Sequence, residues 1–164
     1  MKGPSIFAHL RDIILLPVTV TILIPYFIFN RDQHLIPDLL PVKLAGVVVG
    51  ACGITLLIYT ITLFGRFGNG TLAPWQPTQK LVVIGPYRYV RNPMISGVFF
   101  ILIGESLILH STSILEWAGL FFLINTTYFI LSEEPSLEER FGQDYRQYKR
   151  HVGRWIPRLH PYTV

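Results

Sequence analysis

A chain of 164 residues with 51% hydrophobic side chains, 15% charged ones and a mean hydropathy of +0.44 is too apolar for an ordinary soluble domain and reads as a membrane protein. Its net charge of +4 does not mark a nucleic-acid binder, because the basic residues sit beside apolar runs, where they face anionic headgroups. A single cysteine, Cys52, inside an apolar run excludes an intrachain disulfide or a cysteine metal cluster, and the histidines show no HxxxH or HxxE spacing, so no metal centre is expected.

The first apolar run, residues 13–29, follows Lys2 and Arg11 and is closed by no small-residue cleavage pattern, so it is read as a retained span rather than a signal peptide. Pro17 and Pro25 predict a kink in it. Asn30–Pro41 is a polar, proline-containing loop, and residues 42–64 are the second span. There Gly46-x-x-x-Gly50 followed by Gly53 offers a smooth face for another helix, read as packing within the monomer rather than as a dimer motif.

Residues 65–80, GRFGNGTLAPWQPTQK, cannot continue a helix, and the loop extends to residue 93. A long irregular stretch of this kind fits part of a binding site better than slack linker, and Trp75 within it serves as interfacial anchor or stacking platform. Leu81–Gly97, LVVIGPYRYVRNPMISG, is the chemical centre of the chain. Gly85-Pro86 is a turn, Asn92 an expected N-cap, and Pro93 suits the first position of a helix. The apolar residues after it make residues 94–109 the third span, so its positive end meets water beside Arg88 and Arg91. That corner can bind an anion, or its arginines can simply anchor to headgroups.

A turn at His110–Ser113 leads to the fourth span, residues 114–131, antiparallel to the third. Glu105 and Asn125 are the polar residues that stand out inside these spans. Each either lines an internal pocket or, for Glu105, serves as a structural carboxyl near the far interface. Ser132-Glu133-Glu134-Pro135 then sets two carboxylates at the membrane edge, level with Pro93. Ser136-x-x-Glu139 reads as a capping box opening an amphipathic helix over 136–152. Its apolar face is Leu137, Phe141, Tyr145, Tyr148 and Val152, and the helix lies either in the interface or over the bundle mouth as a lid. Trp155 is expected at the headgroup layer. Basic residues in the 65–93 loop and the C-terminal tail, with none in the 110–113 turn, place both termini in the cytoplasm. The expected fold is thus all-α: a single polytopic membrane helix bundle of about four transmembrane helices with a C-terminal amphipathic cytoplasmic helix.

The string LVVIGPYRYVRNPM, followed about forty residues later by Glu133-Glu134 and then FGQDYRQYKRHV, resembles the isoprenylcysteine carboxyl methyltransferase and phospholipid methyltransferase family of small integral membrane enzymes. The resemblance covers roughly residues 65–160. It implies S-adenosylmethionine as cofactor, held at the cytoplasmic face by Arg88, Arg91, Asn92, Pro93, Glu133 and Glu134, with Tyr145 and Tyr148 helping to close the pocket. It also implies a lipid-like or amphipathic acceptor arriving from the bilayer. Asn92 and Ile95 depart from the R-H-P-x-Y-x-G form of the motif. Asparagine does not titrate near neutral pH as histidine does, which bears on the acceptor more than on the cofactor. Arg91 and Glu134 are the expected catalytic centre, and Glu105 or a glutamate of the pair is the candidate base for an amine acceptor. Two other readings of the architecture are an NADPH-dependent membrane reductase of the sterol reductase type and a non-catalytic binding module.

Overall fold

The computed structural model describes residues 14–29, 35–67 and 81–163, and every regular element among them is helical. Residue 13, the 30–34 part of the first connection and residues 68–80, with Trp75 and Lys80, lie outside the described residues.

Helix α1 comprises a widened, π-type stretch Ile14–Leu23 that passes into an α-helix Ile24–Phe29. The winding is widened over the stretch that holds Pro17 and leads to Pro25, where the prolines predict a kink. Pro25 has no N–H, so in the wide pattern the Val20 carbonyl five residues earlier loses its donor. The indole Nε1 of Trp117 supplies the missing hydrogen bond at 3.1 Å, which ties α1 to the fourth helix.

Helix α2, Leu40–Phe67, runs three residues beyond the expected end of the second span, keeping Gly65 and Arg66 helical. Helix α3, Pro93–Leu109, packs antiparallel to it along a glycine seam. A Cβ at Gly104 would lie 2.6 Å from the Gly50 Cα, and one at Gly53 would lie 2.7 Å from the Gly97 carbonyl oxygen. The backbones touch because no side chain separates them, so the Gly46-x-x-x-Gly50 face serves packing within the chain.

His110 ends α3 in the left-handed conformation at φ 55°, and the buried Ser111 caps the next helix by accepting a hydrogen bond from the Ile114 N–H at 3.1 Å. Helix α4, Thr112–Tyr128, returns antiparallel to α3. Leu57, Val98, Ile101, Leu102, Ala118 and Phe121 form the core shared by α2, α3 and α4. Outside this core, α2 and α4 carry exposed aliphatics such as Val47, Val48, Ile58, Leu123 and Ile124, a surface suited to lipid rather than water. Two helices are long and apolar enough to cross a membrane, Leu40–Leu63 and the one beginning at Thr112, while residues 17–29 and α3 are shorter apolar helices packed beside them.

The largest departure from expectation is at Ser136. No capping box forms there, and the chain stays helical through a wide turn, Phe129–Glu133, directly into α5, Glu134–His151. Pro135 falls in the first turn of α5, where its missing N–H is harmless, so the proline does not end the helix. The break comes at Gly142, whose φ of 54° and ψ of −124° divide α5 in two. The apolar face of α5 turns inward, not toward lipid. Tyr145, Tyr148 and Val152 are buried against Leu81, Val83 and Tyr162, so α5 folds back over the 81–90 segment.

Candidate active site at the Pro93 end of the bundle

Three stretches far apart in sequence converge where α3 begins. Gly85–Arg88 is a single 3-10 turn that Gly85 enters at φ 55°, a conformation glycine tolerates. A Cβ there would strike the Leu63 side chain at 2.8 Å. The chain then reaches Arg91, Asn92 and the buried Pro93. The C-terminal tail is strapped alongside by backbone hydrogen bonds: Arg91 N–H to Gly153 O at 2.9 Å, Arg158 N–H to Tyr89 O at 3.0 Å, and Tyr162 N–H to Arg88 O at 2.9 Å. The Tyr148 hydroxyl adds a fourth tie, donating to the Tyr87 carbonyl at 2.6 Å.

Within this frame Glu134 is the hub. Its side chain is only 5% exposed, and its two oxygens meet three cations. Arg91 Nη1 donates to Oε1 at 2.9 Å, Arg154 Nε to the same oxygen at 2.6 Å, and Lys149 Nζ lies 3.0 Å from Oε2. Lys149 also pairs with Glu138 at 2.7 Å. Burial by itself would raise the Glu134 carboxyl, but hydrogen bonds from Arg154 and Lys149 and the charge of Arg91 outweigh it and hold the group below its usual range. Glu134 is therefore a carboxylate at neutral pH. The cluster as a whole remains positive, with three cations to two carboxylates, and favours an anionic ligand.

Arg91 is the second fixed point. Its side chain is 9% exposed, and Nη1 also donates to the Tyr145 hydroxyl at 3.1 Å. Its Nε–H is buried without a hydrogen-bond acceptor among the described residues. An orphaned guanidinium donor of this kind is costly unless something accepts from it, which makes Arg91 the candidate for meeting a ligand oxygen. Burial raises the hydroxyl pKa of Tyr145 and, further, that of Tyr148, so both remain protonated and act as hydrogen-bonding groups rather than bases.

The residues singled out from sequence separate into two sets. Arg91, Glu134, Tyr145 and Tyr148 come together, with Pro93 starting the helix beside them. Asn92 occupies the N-cap position, but its side chain makes no capping bond, and its carbonyl accepts from the Ser96 hydroxyl and N–H. Glu133 diverges from its neighbour: it is half-buried, and the Tyr128 hydroxyl reaches it at 3.3 Å. Arg88 turns away from Glu134, its Nε donating to the Tyr162 carbonyl at 2.6 Å. Glu105 does not join the cluster: it sits on α3 about 18 Å along the helix from Pro93 at 1.5 Å rise per residue, its Oε2 buried with no hydrogen-bond partner among the described residues. The Asn125 amide turns back on its own helix, donating to the Phe121 carbonyl one turn back at 2.8 Å.

The tail supplies what sequence reading missed. Arg154 makes the shortest contact to Glu134, and Gly153 receives the Arg91 amide, yet both looked like ordinary members of a basic terminus. Trp155, expected among headgroups, packs half-buried between Phe122 and Phe129, with ring centroids at 4.9 and 5.8 Å. A tryptophan one residue after a site arginine was the available signal, since its ring fixes the height of the tail against α4.

Helices with exposed apolar surfaces that carry a buried arginine–glutamate cluster at one end fit a membrane protein with a polar site at one end of its bundle. Residues 42–144, from α2 into α5, match the phospholipid methyltransferase family, and the chain belongs to that family of membrane methyltransferases. It is also similar to an uncharacterized protein of Haemophilus influenzae, 43% identical over 44 residues that make up 26% of this chain and 70% of that protein. The family match includes Arg91, Glu133 and Glu134 and stops just short of Tyr145, leaving Tyr148, Lys149 and Arg154 to the structure.

Proposed function

We propose that the protein is an S-adenosylmethionine-dependent methyltransferase that acts at the cytoplasmic face of a membrane, with four transmembrane helices, on a lipid-like or isoprenylcysteine-like amphipathic acceptor. The observation that carries this reading is the buried Arg91 with its unmatched Nε–H, held in place by Glu134 and Tyr145 inside a net positive cluster. Family membership supports methyl transfer, and the orphaned donor supports an anionic group on the ligand.

The residues present fit the cofactor. Arg91 would hold its carboxylate through Nε. Glu133, with one long contact from Tyr128, keeps acceptor capacity for the ammonium or the ribose hydroxyls, capacity that Glu134 has already committed to three cations. When bound, S-adenosylmethionine supplies an electrophilic sulfonium methyl. The protein's task is then alignment and exclusion of water: Glu134, itself held by Arg154 and Lys149, fixes the Arg91 guanidinium, and Tyr145 and Tyr148 cover the site with α5. A carboxylate acceptor requires no base. For an amine acceptor, Glu133 is the better-placed proton acceptor, because Glu134 is held ionised by its partners and Glu105 lies elsewhere.

Calorimetry in detergent tests the reading. S-adenosylmethionine should bind the wild type and fail to bind Arg91→Ala, while labelled methyl donor with total membrane lipid should yield a labelled amphiphile. Binding of NADPH in its place would replace the proposal with a reductase, and binding of neither would leave a non-catalytic module.

A further inference from the structure

The guanidinium that carries the proposed function is closed off. Arg91 Nε–H is buried from solvent as well as unpartnered, and Nη1 is bonded to Glu134 and to the Tyr145 hydroxyl, so no ligand oxygen reaches Nε unless something moves. Glu134 precedes Gly142 in α5 and Tyr145 follows it. Gly142 is the natural pivot between them. Its φ of 54° and ψ of −124° are closed to L side chains on backbone grounds alone, and a Cβ there would meet nothing within 4 Å, so this glycine serves the bend and not the packing. Beyond the bend, residues 143–152 are held down by few contacts. Tyr145, Tyr148 and Val152 bury against Leu81 and Val83, and the Tyr148 hydroxyl reaches the Tyr87 carbonyl. Lys149, 37% exposed, ties the segment back across the bend, its Nζ lying 2.7 Å from Glu138 and 3.0 Å from Glu134. The strap that follows is fastened separately: Gly153 accepts from the Arg91 N–H, and Arg154 donates to Glu134. Lifting 143–152 therefore leaves the Arg91–Glu134–Arg154 hub assembled.

We propose that residues 143–152 are a lid, hinged at Gly142 and latched by Lys149, which lifts to let a ligand reach Arg91 and then closes Tyr145 over it. The inference rests on the reading of Arg91 as the ligand-binding cation. Because Lys149 joins the lid to two carboxylates on the other side of the hinge, the strength of that latch sets how often the site is open. A ligand that has entered leaves only when the lid reopens.

Two measurements on the full chain in detergent test it. Amide hydrogen exchange without ligand should show 143–152 opening as a unit ahead of the buried α3 core at 97–106, and Lys149→Met should speed that opening about fivefold while the core is unchanged. Stopped-flow binding of S-adenosylmethionine should show association and dissociation rate constants rising together by a similar factor in Lys149→Met, with Kd near the wild-type value. Loss of a ligand contact alone would raise dissociation and leave association as it was. Gly142→Ala, which changes no charge, should move both measurements in the same direction, because alanine disfavours the closed bend. Thermal unfolding establishes that each variant is folded. Exchange of 143–152 only together with the α3 core overturns the lid, as does an association rate constant that both variants leave unchanged, since the ligand then enters by another route. If S-adenosylmethionine does not bind the wild type, the cofactor reading falls, and the exchange measurement still decides whether the lid exists.

Discussion

The two ends of α3 carry similar chemistry in opposite settings. At the Pro93 end, Arg91, Arg154 and Lys149 converge on a carboxylate that is 5% exposed, and a tyrosine hydroxyl completes the set. At the Leu109 end, Asp38 pairs with Lys43 at 2.7 Å and with His110 at 3.2 Å, but Asp38 is 71% exposed. The distances are alike, so geometry does not distinguish them. Burial does: charges taken out of water hold one another in a single arrangement, whereas exposed charges in water gain little by pairing. A site that must align a ligand is built from the first kind.

The sharpest way to break this contrast is Glu134→Ala, which leaves Arg91 buried without its carboxylate. It should cost about 3–5 kcal/mol in detergent unfolding and abolish S-adenosylmethionine binding. Acid should reproduce part of that loss. The folded Glu134 carboxyl titrates below its ordinary value of 4.5, so its stabilisation is complete at neutral pH and disappears as the pH falls through 4.5 and below. Thermal unfolding against pH should show that acid limb in the wild type and a flatter one in Glu134→Gln. Tyr148→Phe should cost about 1 kcal/mol by removing the hydroxyl that ties α5 to the Tyr87 carbonyl, and should loosen α5 more than it unfolds the bundle, which amide hydrogen exchange over residues 143–152 would register. The smallest effect belongs to the other end: Asp38→Asn should leave both the unfolding midpoint and ligand affinity unchanged within error.

Much of this was legible from the chain. The apolar runs gave the helices, since nothing else satisfies backbone groups in hydrocarbon, and the smallness of Gly46, Gly50 and Gly53 marked the face α3 would touch. Arg91 and Glu134 were chosen from sequence, and the structure sets them 2.9 Å apart. What was hidden had physical reasons. Ser136-x-x-Glu139 looked like a helix start, but Pro135 before it falls in a first helical turn, where proline lacks only an N–H that would be unbonded anyway, so the chain stays helical through it. Glu105 looked like a partner for the site because an intramembrane carboxyl demands explanation, yet helix rise alone separates it from Pro93. Arg154 was hidden because the tail's approach is set by backbone bonds to residues 88–91, which residue types do not announce, and Trp155 beside it was the one side-chain sign.

The wide winding at Phe129–Glu133 determines which of two adjacent glutamates meets Arg91. Successive residues on a helix point about 100° apart, so one residue more or fewer in that turn would rotate the remainder of the chain by about that angle relative to α4. Adding one residue within that turn would therefore carry Glu133 into the place that Glu134 now holds and swing the Tyr145–Tyr148 face off the 81–90 segment. Register at this one turn governs both the electrostatic hub and its cover.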